Sequence, residues 1–190
     1  MSQKLILPIN KCRITAGYKN AKYKKQFGYT HYGIDMTDQA RSDRRVYASG
    51  KGTVHSCGWH PSGGNVITII YPECRLTNGV IRDLSVRYFH LDSILVKKGD
   101  KVTKDTVIGM YGNTGASSGA HLHIEIDTDV KYPNYSPQTS KSNDVLKAGT
   151  DSTINPTLAL WVKPSSPDNQ SVKNSGYDTV ASSDLNYQTY

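Results

Sequence analysis

Hydrophobic and polar positions alternate most cleanly at Gly119-Ala120-His121-Leu122-His123-Ile124-Glu125-Ile126. Leu122, Ile124 and Ile126 fall on one side of a period-two pattern, and His121, His123 and Glu125 on the other. That pattern predicts a strand with its apolar face on a core. It sets two imidazoles about 7 Å apart on the polar face. Asn65 to Tyr71 is the strongest strand by β-branched content, and Val80 to Phe89 is another that ends on His90. Shorter strands are predicted at Leu5–Leu7, Cys12–Ile14, Arg45–Ala48, Gly52–His55, Ile94–Val96, Gly99–Val102 and Val107–Tyr111. No long amphipathic helical pattern appears. Residues 16–30 are basic, rich in tyrosine and aperiodic, and read as a long loop. Ser56–Gly64, Pro72–Asn78 and Gly112–Gly119 read as loops or turns. Asn155-Pro156 is a helix-start signal, so Thr157–Val162 is expected to form one short helix. The pattern predicts an all-β fold with many turns, one domain over residues 1–162, and a disordered polar tail over 163–190.

Composition adds a partner class. The 190 residues carry a formal charge of +7 with a pI near 9.2, which favours an anionic partner. The basic residues are scattered apart from Lys19, Lys22, Lys24 and Lys25, so nucleic acid is not expected. Three cysteines form no CxxC pair and define neither a disulfide framework nor a zinc knuckle. They read as isolated thiols, with a Cys57–Cys74 bridge left open. The N-terminal apolar run is too short for a secretory signal, and no stretch reaches membrane-spanning length.

The chemistry lies in the histidines. His31 is followed four residues later by Asp35, and the His121–His123 strand offers further imidazoles. Zinc accepts both donor types, and a catalytic zinc site uses three protein ligands and leaves one position open. Taken singly, HxxxD is a common surface turn, HxH is often two solvated histidines, and His90 beside Phe89 fits a core. Their joint occurrence in strands and glycine-rich loops points to a metal site in which the remaining histidines handle protons. Cys57 and His60 have ligand-like spacing but only weakly suggest a second metal.

Those residues and their surroundings resemble the lysostaphin-type (LytM-like) zinc endopeptidases, which cut peptide cross-links of bacterial peptidoglycan. The similarity runs through His31-Tyr32-Gly33-Ile34-Asp35, Val46 to Val54, Gly64 to Ile69, Tyr88-Phe89-His90-Leu91 and Val96 to Val102. It closes on Gly112 to Glu125 and Asn155-Pro156, and covers residues 3–162. The resemblance implies a folded antiparallel sheet with a loop-walled groove. It implies one zinc ion on His31, Asp35 and His123, with His90 and His121 as the catalytic pair. The groove walls would be residues 16–30, 56–64, 72–78 and 112–119. Glu125 is a candidate hydrogen-bond partner for a ligand imidazole. Tyr29, Tyr32, Trp59 and Asn113 are candidate groove residues, with Tyr23 a further oxyanion donor and Tyr132 a further stacking ring. Asp105 and Ala120 stand where the family often has glycine and proline. The function so implied is zinc-dependent hydrolysis of peptidoglycan peptides at the cell wall, outside the cytoplasm, by a chain taken as a monomer. The alternatives are a silent wall-binding module of the same fold and a phage-borne lysin, the latter consistent with the missing signal.

Overall fold

The computed structural model describes residues 1–134, 137 and 151–161, and the backbone of 171–177. In chain order the elements are β1 (Leu5–Ile6), β2 (Lys11–Ala16), α1 (Ala21–Phe27), β3 (Ile34–Asp38), β4 (Arg45–Tyr47), β5 (Gly52–His60) and β6 (Gly64–Arg75). They continue as β7 (Ile81–Ile94), β8 (Lys101–Val102), β9 (Val107–Tyr111), β10 (Leu122–Asp127), β11 (Thr153–Ile154), β12 (Leu160–Trp161) and β13 (Ser171–Tyr177). The main sheet runs β13-β2-β3-β10-β7-β6-β5-β8, with β9 pairing β7 and β4, and β11 pairing β10. Its pairings are antiparallel except β13 with β2. A separate parallel pair joins β1 to β12.

The sheet folds because β7 changes partners part-way along. Ser85–Phe89 pair with β10, whereas Leu91–Ile94 pair with β9. Between them His90 takes φ 60°, the left-handed region that side chains other than glycine rarely adopt. Its N–H donates to the Gly63 carbonyl, and its own carbonyl accepts from Gly112 N–H. The backbone polar groups freed by the kink are thus satisfied, and the ring turns out of the strand.

The core lies on the apolar face that alternation predicts. Leu122, Ile124 and Ile126 are fully buried with Ile34, Met36, Ile67, Ile69 and Val86. Each such side chain contributes about 1.5–3 kcal/mol. Tyrosine enters this core because its hydroxyls find partners. Tyr71 and Tyr88 share a 2.8 Å hydrogen bond, and Ser49 bonds to both. Burial pushes the Tyr88 phenol up to about 12, which keeps it neutral.

Four predicted boundaries change. Residues 16–30 are not all loop, because α1 occupies 21–27. Asn20 caps it by accepting from Tyr23 N–H, and Gly28 ends it at φ 82°. It buries no residue fully, so no apolar stripe announced it. Ser56–Gly64 is mostly strand, since β5 and β6 pair through His60↔Gly64 and only 61–63 turn. At the other end β6 continues to Arg75 through a bulge at Glu73, φ 51°. The expected helix at 157–162 is a single 3-10 turn, Pro156–Leu158, and the chain then pairs as β12. Val162 lies outside the described residues, as does most of the 163–190 stretch, within which the β13 backbone is described.

Candidate metal centre and groove

β3 and β10 lie side by side near the middle of the sheet, with His123 opposite Asp35. His31 enters from the segment before β3. The three side chains are buried and converge. His31 Nε2 lies 3.0 Å from Asp35 Oδ1 and 3.0 Å from His123 Nδ1, and His123 Nδ1 lies 2.8 Å from the same oxygen. Gly33 is required for this approach. A Cβ there would sit 2.2 Å from the Ile124 carbonyl and 2.8 Å from the His123 ring.

The outward nitrogens decide what the inward ones can do. His31 Nδ1 is 2.8 Å from the Gly17 carbonyl, which can only accept, so Nδ1 carries the proton. His123 Nε2 is 3.2 Å from Glu125 Oε1, so that nitrogen carries the proton too. In the neutral rings, His31 Nε2 and His123 Nδ1 therefore present lone pairs to each other and to a carboxylate. Three acceptors within 3.0 Å repel unless a cation lies among them. Burial opposes charge on His123, yet Asp35 and Glu125 raise its pKa to about 9, so near pH 7 a second proton supplies that positive charge unless a metal ion displaces it. Burial would also raise the Asp35 carboxyl, but His31, His123 and His121 hold it well below the usual carboxylate range. The donor set of two imidazoles and one carboxylate suits zinc.

Glu125 is itself held. Arg87 on β7 reaches Glu125 Oε2 at 2.7 Å and Asp127 Oδ2 at 2.8 Å, with all three side chains buried. Carboxylate–histidine contacts of this kind fix ring orientation at metal sites. Tyr23 stacks on the His31 ring, centroids 4.4 Å apart, and Phe89 meets His123 edge-on at 5.1 Å.

Beside this centre stand His90 and His121, their ring centroids 4.9 Å apart. His90 Nδ1 donates to the Thr114 carbonyl at 2.8 Å, and His121 Nδ1 donates to the Gly119 carbonyl at 2.7 Å. Both Nε2 atoms are thereby left as acceptors. His121 Nε2 lies 3.6 Å from Asp35 Oδ1. Burial, then the neighbouring His123 and His121, pushes the His90 pKa down to about 4, so its ring is neutral near pH 7. The loop carrying Thr114 is locked to the β5–β6 turn by Gly64 and Gly115, at φ 69° and 73°. A Cβ on Gly115 would lie 2.2 Å from Gly64 N.

A groove of about 890 Å³ opens over the centre. Its walls include Tyr23, Phe27 and Tyr29 from the α1 region, Ser62 and Gly63, and residues 115–121. Residues 72–78 form no wall; Gln3 and Leu158 bond to that region instead. Of the remaining candidates, Glu125 and Tyr29 line the groove, whereas Tyr32, Trp59, Asn113 and Tyr132 do not. Tyr32 carries Lys19 over its ring, Trp59 is exposed on β5, and Tyr132 carries Lys131 over its ring. Asn113 accepts from Ser117 Oγ at 2.7 Å and so braces the loop before His121. His60 Nδ1 accepts from Ser62 and Gly63 N–H, which turns it to the hairpin and away from a second metal. All three cysteines are free, so Cys57 and Cys74 are not bridged. Asp105 does not take a positive φ, so the turn there needs no glycine. Sequence reasoning missed Thr37, Arg41 and Arg87. A lone arginine between the apolar Val86 and Tyr88 was the available signal, since buried cations require carboxylates.

A folded β-sheet that gathers histidines and one carboxylate at the floor of a peptide-sized groove defines a metallopeptidase-like centre. The chain matches the model of Peptidase family M23 over residues 29–135 and belongs to that family. It is 43% identical over 81 residues to peptidoglycan DD-endopeptidase ShyA of Vibrio cholerae, covering 43% of this chain and 17% of that protein. A solved zinc-containing peptidase from Vibrio cholerae superposes with a TM-score of 0.53 at 31% identity, over 66% of this chain and 37% of the other. The antimicrobial peptidase lysostaphin from Staphylococcus simulans gives 0.53 at 26% identity, over 77% and 48%. The chain spans well under two thirds of the length of each.

Proposed function

We propose that this chain is a zinc-dependent endopeptidase that hydrolyses cross-links or stem peptides of bacterial peptidoglycan at the cell wall. One observation carries the reading. Four histidines each have one ring nitrogen tied outward; the other nitrogens of His31, His121 and His123 turn toward one carboxylate, and the His90 ring stands beside them. Family membership and the names of the relatives point the same way.

His31 Nε2, Asp35 Oδ1 and His123 Nδ1 would hold the ion. Zinc in that position supplies Lewis acidity, which lowers the pKa of water toward neutrality and polarises an amide carbonyl. The remaining work falls to the chain. The groove holds the peptide extended over the centre. His90 and His121 each present an acceptor Nε2 fixed by a backbone carbonyl. One of them takes the proton of the attacking water, and the protonated ring then serves the leaving amine. The other, when protonated, hydrogen-bonds the developing oxyanion. Amide and water become carboxylate and amine with no net proton change in the rings.

Metal analysis beside digestion of purified walls tests this. One zinc per chain together with new amine termini is the expected result. His31→Ala should lose the zinc and the activity together. Solubilisation of walls by that variant would remove the metal from the account. Wall binding with zinc but without new amines would favour a silent binding module.

A further inference from the structure

The groove extends past Asp35 along β3 to a region that the hydrolytic chemistry leaves unused. Thr37 is two residues on from Asp35 on the same face, about 7 Å along the strand. It lines the groove, is 2% exposed, and its Oγ1 has no hydrogen-bond partner among the described residues. A buried hydroxyl left unpaired is costly, and most find a partner. The β3–β10 pairing reaches Leu122↔Met36, one residue short of His121 and Thr37, which line the same groove. The hydroxyl therefore adjoins the reacting region.

Arg41 closes that end. Among the described residues it is the only lysine or arginine lining the groove. It sits at φ 56°, a conformation side chains rarely adopt. Asp38 holds the turn that imposes it, accepting at Oδ2 from Ala40, Ser42 and Asp43 N–H, while Arg41 N–H donates to the Asp38 carbonyl. The neighbouring arginines are neutralised, Arg44 by Asp92 and Arg45 by Asp43. Arg41 has no carboxylate within ion-pair distance among the described residues. Arg13 lies directly opposite Thr37 on β2 and adds positive charge at the same end. The carboxylates that line the groove are engaged elsewhere, Asp35 by His31 and His123, Glu125 by His123 and Arg87.

We propose that Thr37 and Arg41 form a carboxylate subsite, which selects peptides bearing a free carboxylate next to the bond to be cut. A guanidinium and a hydroxyl donor match a carboxylate by charge and by hydrogen bonding. An uncharged glycine bridge would leave both groups unmet. The inference rests on the endopeptidase reading, because it defines what lies in the groove.

The test is equilibrium binding, so it does not depend on turnover. Two fluorescent peptides of one sequence are used, each made uncleavable by N-methylation of the target amide. One carries an ionised carboxylate beside that amide and the other the matching carboxamide. The full-length chain loaded with zinc should bind the carboxylate peptide about tenfold or more tightly, as charge-assisted bonds predict. Arg41→Gln, at an exposed turn, should bring the two affinities together by weakening only the carboxylate peptide. Arg41→Lys should keep part of the preference, and Thr37→Val should reduce it several-fold. Equal affinities in the unaltered chain, absence of binding, or a preference that survives Arg41→Gln would each overturn the subsite. A preference lost with Arg41→Gln, in a chain that releases no amines from walls, supports the subsite and counts against hydrolysis alone.

Discussion

His123 carries more of the design than any other residue. One nitrogen faces Asp35 and His31, and the other is held by Glu125, which Arg87 holds in turn. Removing the outer contact should loosen the inner one. Glu125→Gln is expected to weaken zinc affinity about 10- to 100-fold, read by competition with a chelator of known affinity. Unchanged affinity would show that Glu125 only fills space. His121 makes the contrasting case. Its outer nitrogen is tied to Gly119, and its inner nitrogen stands 3.6 Å from Asp35, outside the tight triad. His121→Ala should bind zinc normally and lose turnover by at least two orders of magnitude.

Among the elements, β10 was the most legible in the sequence. Its alternation placed Leu122, Ile124 and Ile126 in the core, as their burial bears out, whereas the opposite face is also covered, with His123 and Glu125 buried. Joining that face to Asp35 depended on Gly33, whose motif marks the spot but does not state the reason. The reason is a backbone approach that no side chain fits. Gly33→Ala is therefore expected to destabilise the fold by about 1–3 kcal/mol, through the shift it forces on β10. Urea denaturation would detect it as a lower midpoint at unchanged slope. The kink at His90 was not legible, because nothing in Tyr88-Phe89-His90-Leu91 announces a left-handed residue inside a strand. Nor was α1, whose seven residues bury no full side chain and present no apolar stripe. Arg87 and Thr37 were hidden for a related reason: each looks ordinary until the register supplies its neighbours.

For the whole molecule, the folded sheet sets accessibility and ties metal binding to stability. Cys12 and Cys74 are buried, while Cys57 is half-buried near the Val96 carbonyl. Burial raises the Cys74 thiol to about 12, and raises that of Cys12 further. Iodoacetamide should therefore modify Cys57 in the native chain and reach the other two only on unfolding. Early modification of Cys12 would mean that β2 is not packed as described. Because His31, Asp35 and His123 face one another from β3, β10 and the segment before β3, an ion held among them would brace the middle of the sheet. Zinc at 100 times its dissociation constant should add about 2.7 kcal/mol of stability, and a chelator should remove it. A thermal midpoint indifferent to chelator would argue against that bracing.

On the proposed reading, His31, Asp35 and His123 hold one zinc ion while His90 and His121 stand beside it. Zinc content measured on the unaltered chain, His123→Ala and His121→Ala, each purified without added chelator, tests it most directly. One zinc per chain is expected in the first and third and none in the second. Zinc retained by His123→Ala and lost from His121→Ala would contradict it.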